Sequence, residues 1–397
     1  MGDMDLDEME ANSRLWQCPP IVNNIFQHLC ARDLSSCAQV CSLWNTMAKT
    51  ETNRRRFVEW FLEVDIGQTV DMEGNCVPVE SPIGKLHPFQ EKLASLRARP
   101  GFCLSFITLD TLKRITEAFS SFFIARTGPQ REVRLLRYEK RATRLKLVKE
   151  IFLNPLLPSQ CQVHCISSPG IVGCHDNCSP AEVEDGFAIS GIILPEFPGV
   201  RVHHIPIDKE CKWQLPSNFF PAKALLVFVS TKAIREVQEL VNKFADMNDR
   251  AEFALGGAVV APLPEAYGSC FAFSGENLEA ASVVIDKSTI DVAKELSLFK
   301  NTGLLEKGNC FAVMFSCVGK GIHKYSVSNY ESSIFRGLYP DVPLAGVFGN
   351  GEIGAHCLPN VDKECPENKA RYMKFPSGKC VKVYNSVFVL LCVKAPK

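Results

Sequence analysis

The sequence predicts an α+β protein in which a short helical module precedes a layered mixed α/β domain or two related halves. Three observations carry this. A chain of 397 residues and 44.1 kDa is long enough for two or three domains. Apolar residues recur at helical spacing near the front, and in short strand-like runs from about residue 100 onward. With 46% hydrophobic and 22% charged residues, the composition is that of a packed protein.

Lys plus Arg and Asp plus Glu are equal at 44 each, so no net field draws nucleic acid or an anionic membrane to the whole molecule. Neither is an expected partner. The longest apolar runs, one from Ala222 and one ending at Val393, have about half the roughly 20 residues of a membrane-spanning helix and read as buried strands. Residues 1–15 are acidic, read as a disordered tail, and lack the pattern of a secretory signal. The 18 cysteines are scattered and mostly sit in apolar runs, as at Cys103, Cys310 and Cys392, which fits free thiols in a reducing compartment.

Pro19 and Pro20 open a first helix with Ile21, Ile25 and Leu29 on one stripe and Val22 and Phe26 beside it. Asp33 is a candidate N-cap for a second helix, with Leu34, Cys37, Ala38 and Cys41 on one side and Val40, Leu43, Trp44 and Met47 on another. A unit of about 45 residues cannot bury so many apolar side chains by itself, so the rest of the chain or a partner must cover some of them.

Residues 63–99 read as a linker or irregular cover, since Gly, Pro and charge break every apolar run. Strands are expected at 102–108, 160–168, 186–194, 200–207, 223–230, 269–273, 280–285, 309–317, 344–348 and 379–393, with helices at 112–123, 232–247, 289–298 and 328–338. Gly256-Gly257 reads as opening a loop. Between Arg131 and Lys149 eight Lys or Arg face two Glu, the pattern of a solvated amphipathic helix; a nuclear-import signal around Lys140, Arg141 and Arg144 is the alternative.

The prolyl start, Ile21-Val22, Ile25-Phe26, Leu29, Asp33-Leu34, Val40-Cys41, Trp44 and Trp60 resemble the F-box, with Cys18 in place of the more usual Leu before Pro19. That resemblance implies a trihelical motif over residues 16–62 that docks Skp1, and through it cullin-1 and a RING subunit. It implies Pro20, Ile21, Ile25, Phe26, Leu29, Leu34, Val40 and Trp44 as the Skp1 contacts. The blocks QCQVHCISSPGIVG, AVMFSCVGKG and PDVPLAGVFGNGEIG are similar to the FIST domain. This resemblance implies a layered mixed domain in two halves, 100–265 and 266–397.

Four constellations invite chemistry. GNGEIG from Gly349 satisfies a dinucleotide-binding pattern, but Pro359 and Pro366 prevent the helix that would hold a pyrophosphate. A glycine loop at a strand end is the better reading, and Gly349, Asn350, Gly351, Glu352 and Gly354 become candidate ligand-loop residues. Cys161 and Cys165 on one strand stand about 13 Å apart, too far to share a zinc, leaving Cys174, His175 and Cys178 as a partial set; no metal or other cofactor is expected. Cys317 is followed by Gly319, Lys320, Gly321, His323 and Lys324, and nearby cations would lower its thiol pKa, making it the candidate reactive cysteine. No nucleophile and base can be paired, so no catalytic residues are assigned.

The expectation is therefore a non-catalytic substrate receptor of an SCF-type ubiquitin ligase, cytoplasmic and nuclear, whose α/β domain holds the target protein. The alternative is a small-molecule sensor acting through that domain.

Overall fold

The computed structural model describes residues 16–64, 68–70, 76–78, 87–115, 141–176, 179–207, 219, 221–248, 252–260, 267–360 and 380–394. The acidic tail, Lys140 of the import signal, Cys178 and residues 116–123 of one expected helix lie outside these.

Three helices, Pro19–Phe26, Ala31–Cys37 and Ser42–Arg54, form the front module. The second expected helix is thus two. Cys30, not Asp33, is the N-cap of Ala31–Cys37, its sulfur accepting from the Asp33 N–H at 3.4 Å. The extended backbone of Cys41 then interrupts the helical run. Trp60 belongs to a strand beyond this module, where its indole donates to the His175 carbonyl.

Three mixed sheets follow. In the first, β1 (Glu59–Val64), β8 (Ala188–Pro195), β4 (Pro100–Thr108) and β5 (Gln162–Ser168) lie side by side in that order. The second runs β17 (Val381–Lys382), β16 (Glu352–Ala355), β11 (Ala254–Val259), β10 (Ala222–Val229), β12 (Gly268–Ser274), β9 (Arg201–Ile207). The third runs β13 (Leu278–Ile285), β18 (Ser386–Lys394), β14 (Gly308–Cys317), β15 (Leu344–Gly349), β6 (Gly170–Cys174), β7 (Pro180–Val183). A small hairpin, β2 (Gln68–Val70) with β3 (Cys76–Pro78), lies in the expected linker.

Each large sheet contains one parallel pair, β4 with β5, β10 with β11 and β14 with β15, and parallel neighbours require a crossover. Helical segments supply it, including Arg141–Val148 in the first case, Val237–Met247 in the second and Tyr330–Leu338 in the third. An antiparallel strand then returns beside the first: β8, β12 or β18. This connectivity occurs three times, where the sequence suggested two halves. A division at 265 would part β11 from β12, which share a sheet. The sheets also exchange strands: β9 leaves the first unit for the second sheet, β6 joins the third, and β16 returns to the second.

Period-two patterning explains the layers. On β10, Ala224, Leu226 and Phe228 face the central core, while Leu225, Val227 and Val229 pack with helix Val237–Met247. On β14, Phe311, Val313 and Phe315 face the centre, while Cys310, Ala312 and Met314 face the helices Val292–Ser297 and Tyr330–Leu338. The first strands of the three units meet through phenylalanines, Phe106 lying 5.9 Å and Phe315 5.5 Å from Phe228 between ring centres.

Gly256 and Gly257 lie inside β11 rather than in a loop. A Cβ on Gly256 would come within 2.3 Å of Val389 Cγ2, and one on Gly257 within 2.3 Å of the Val227 carbonyl. Close approach of strands, not a turn, demands glycine there. Cys310 and Cys392, expected as free thiols, stand opposite each other on β14 and β18 and are joined by a disulfide.

Candidate functional site

In the front module, Val22 and Phe26 point inward from the first helix and meet Leu34, Met47 and Ala48 in a small core separate from the sheets. The Trp44 ring lies edge-on to Phe26 at 5.5 Å, and its Nε1–H donates to the Trp16 carbonyl at 3.0 Å. Phe26 and Leu34, two of the expected partner contacts, are therefore core residues, because their side chains point into the three-helix packing. Leu29 and Trp44 are half-buried. Pro20, Ile21, Ile25 and Val40 remain on the surface, with Ile21 and Ile25 each 37% and Val40 64% exposed. Ile21 and Ile25 are four residues apart and share one helix face.

This apolar face is held on the α/β domain by two arginines. Arg55, 3% exposed, donates to Glu51 Oε1 at 2.7 Å and to the carbonyls of Phe26, Leu29 and Arg97. Arg97 donates to the Gln27 carbonyl at 2.9 Å, and Ala31 N–H to the Leu96 carbonyl at 2.8 Å. Burial pushes the Glu51 carboxyl up, but hydrogen bonds from Arg54 and Arg55 outweigh it and leave Glu51 below its ordinary range. Its contribution to stability is present above the unfolded-state pKa and lost as pH falls through the lower folded value.

Arg55→Met takes one donor from the buried Glu51 carboxylate, which keeps only Arg54, and leaves the carbonyls of Phe26, Leu29 and Arg97 short of theirs. It is expected to cost about 3–5 kcal/mol in urea unfolding, with little rescue by Arg55→Lys, which lacks the planar fork. Equal stability of the three proteins would contradict this role.

A second constellation lies where β14 and β15 end. Cys317 stands opposite Gly349 in the parallel register, and Val318 N–H donates to the Gly349 carbonyl at 3.0 Å. Asn350 and Gly351, the latter at φ 138°, turn the chain directly into β16, so GNGEIG joins strand to strand. Glu352 is fully buried, and one of its carboxylate oxygens accepts from Asn385 N–H at 3.0 Å. A Cβ on Gly319 would meet the Tyr384 ring at 2.7 Å, and one on Gly321 the Glu184 carboxylate at 2.2 Å. Gly354 sits apart from this group, packed under Val387 inside the sheet.

Lys320 does not face Cys317 as an activating cation. Its Nζ lies 2.6 Å from Glu331 Oε1, with both side chains almost fully buried, and it donates to the Ile285 carbonyl at 3.3 Å. Tyr325 and Ser386 hydroxyls also donate to Glu331. Burial and the adjacent Glu352 carboxylate raise the Cys317 thiol, reversing the expectation of a lowered pKa. Burial likewise lifts Glu352 to about 7, and Glu182, held by Ser332 N–H at 2.8 Å, to about 7.

Raised carboxyl pKa values stabilise the fold below the unfolded-state value, and that stability is lost as pH rises from about 4.5 through 7. Glu352→Gln is therefore expected to unfold at a higher temperature than wild type at pH 8 and to lose that advantage at pH 4.5. A constant difference across this range would rule out the titration.

The sequence draws attention to Cys317, Lys320 and Glu352 but does not show that Lys320 pairs with Glu331 or that Ser386 donates to Glu331. One signal was present: Glu331 lies one helical turn before Phe335 on the buried stripe, where a charge needs a partner. Among the described residues no group of three or more His, Cys, Asp or Glu is placed to share a metal ion, and no helix is long and apolar enough to cross a membrane.

Comparison with known families finds the F-box-like model matching residues 19–59, the span of the three helices and the start of β1. The chain carries an F-box-like domain. It is also related along most of its length to F-box only protein 22 of Homo sapiens, 27% identical over 371 residues, spanning 84% of this chain and 83% of that protein. The Pongo abelii F-box only protein 22 matches with the same identity and coverage. Among solved structures, a cyanuric acid hydrolase from A. caulinodans aligns over 86% of this chain and 99% of its own at 7% identity, with a TM-score of 0.30, too low to carry a fold argument. The F-box-like domain implies Skp1 binding in general, and Ile21, Ile25 and Val40 are its exposed apolar residues.

Proposed function

We propose that this chain is the substrate-recognition adaptor of an SCF ubiquitin ligase. Its F-box-like domain docks Skp1, Skp1 links it to cullin-1 and the RING subunit, and the α/β domain, of FIST type, presents a target protein for ubiquitination and degradation. One observation carries this reading: a self-contained helical module keeps Ile21, Ile25 and Val40 on its surface while Arg55 and Arg97 fix it to a much larger domain. Exposed apolar residues that cluster on one surface mark sites of protein interaction. A rigid adaptor works by proximity, raising the effective concentration of a substrate lysine near the charged E2, and needs no catalytic group of its own.

Immunoprecipitation of the full chain from cells is expected to recover Skp1 together with cullin-1, and depletion of Skp1 to abolish cullin-1 recovery. Cullin-1 recovered undiminished without Skp1, or neither protein recovered, contradicts the proposal.

A second reading, a small-molecule sensor, is favoured by Glu352 Oε1, a buried oxygen without a hydrogen-bond partner beside the Cys317 and Gly349 strand ends. Such atoms are costly unless a ligand or water satisfies them. A panel of free amino acids that leaves the unfolding temperature unchanged would count against it.

A further inference from the structure

We propose that the seam between the first and second sheets is a binding site for a small aryl anion, a flat unsaturated ring bearing a carboxylate or phosphate, received between Lys149 and the imidazole of His164, which His204 backs from outside the cavity. The site lies far in sequence from the glycine loop and does not depend on the adaptor reading. A cavity of about 390 Å³ opens there, lined among others by Leu145, Lys149, His164, Ser269 and Phe271. That volume is within the usual range for small-ligand pockets.

The walls and the ring behind them come from separate elements. His164 is on β5, the edge strand of the first sheet, and His204 on β9, the edge strand of the second. Their rings approach to 4.4 Å. Phe271 of β12 stacks with His204 at 5.2 Å and meets His164 edge-on at 4.9 Å, giving the cavity a flat aromatic side suited to a ring. The opposite wall is a π-helical turn, Lys149–Leu153, where Asn154 N–H bonds to the Lys149 carbonyl at 2.9 Å. Single π turns of this kind are frequent at functional sites.

Charge selects the ligand. Lys149 acts electrostatically on both His164 and Cys165, and no carboxylate among the described residues pairs with it. The nearby acid, Glu150, is more than half exposed and lies 3.7 Å from Lys146. Burial, His204 and Lys149 together hold His164 near pKa 3, so its neutral ring offers one donor and one acceptor. His204 Nε2 is 3.0 Å from Ser269 Oγ. An anion would complete Lys149, whereas a cation would meet it with repulsion.

Isothermal titration of the full chain at fixed ionic strength tests this with phenyl phosphate, benzoate, inorganic phosphate and benzylamine. Saturable binding of phenyl phosphate or benzoate is expected, tighter than inorganic phosphate, with none for benzylamine. The preferred aryl anion identifies the head group. Lys149→Gln is expected to weaken binding about tenfold while Lys149→Arg retains it. No binding of either aryl anion, equal binding of benzylamine, or unchanged affinity in folded Lys149→Gln overturns the proposal. Should that variant not fold, the comparison of aryl anions with benzylamine on the wild-type chain still decides it.

Discussion

Lys320→Met is expected to destabilise the chain by about 3–5 kcal/mol, because it strands Glu331 as a buried charge. In the native fold the two groups are 2.6 Å apart with 0% and 1% of their side chains exposed, so neither can turn to water. Tyr325 and Ser386 still donate to Glu331 in the variant, but two neutral hydroxyls do not replace an ammonium. Glu331→Gln added to Lys320→Met keeps the shape and removes the orphaned charge, so the double variant is expected to regain about 1 kcal/mol or more. Urea unfolding of wild type, both single variants and the double variant measures this directly. Strictly additive losses would show that the two side chains are not energetically paired.

Gly346→Ala is expected to cost at least about 3 kcal/mol, a large effect for one methyl group. Met314 and Gly346 are register partners of the parallel β14 and β15 pair, and a Cβ on Gly346 would lie 1.9 Å from the Met314 carbonyl oxygen. That obstacle is backbone, so no side-chain rotation relieves it; the central strands of the third sheet must part. Gly337 provides the control. It sits in helix Tyr330–Leu338 with nothing within 4 Å of its would-be Cβ, and Gly337→Ala is expected to stabilise by about 0.5–1 kcal/mol. Opposite signs in thermal unfolding are the expected outcome, and a neutral Gly346→Ala would show that the strands are not this close.

The long apolar strands were readable because both faces of each are buried: β10 and β14 supply one set of residues to the central core and the alternate set to helices, which leaves a continuous apolar run. Short strands were not. β6, β7 and β16 have four or five residues each and are stabilised by partners in other units, so nothing local marks them. Gly256 and Gly257 misled for the same reason, since their need for glycine comes from Val389 and Val227, remote in the chain. The threefold connectivity is likewise a property of pairing. In the front module periodicity marks two adjacent apolar stripes on the first helix, but it cannot tell Val22, Phe26 and Leu34, which build the core, from Ile21, Ile25 and Val40, which do not. At the strand ends, Cys317 and Glu352 were visible through their glycines, whereas the Lys320 and Glu331 pair required tertiary contact to appear.

This separation of core from surface defines the most direct test of the adaptor account. The full chain is co-expressed with Skp1 and analysed by size exclusion with light scattering, as wild type and as Ile25→Asp with Val40→Asp, two exposed positions whose replacement leaves the module core in place. A 1:1 complex for wild type and a folded, uncomplexed chain for the double variant is the predicted result. Wild type eluting alone, or the folded variant binding Skp1 as tightly as wild type, would contradict it.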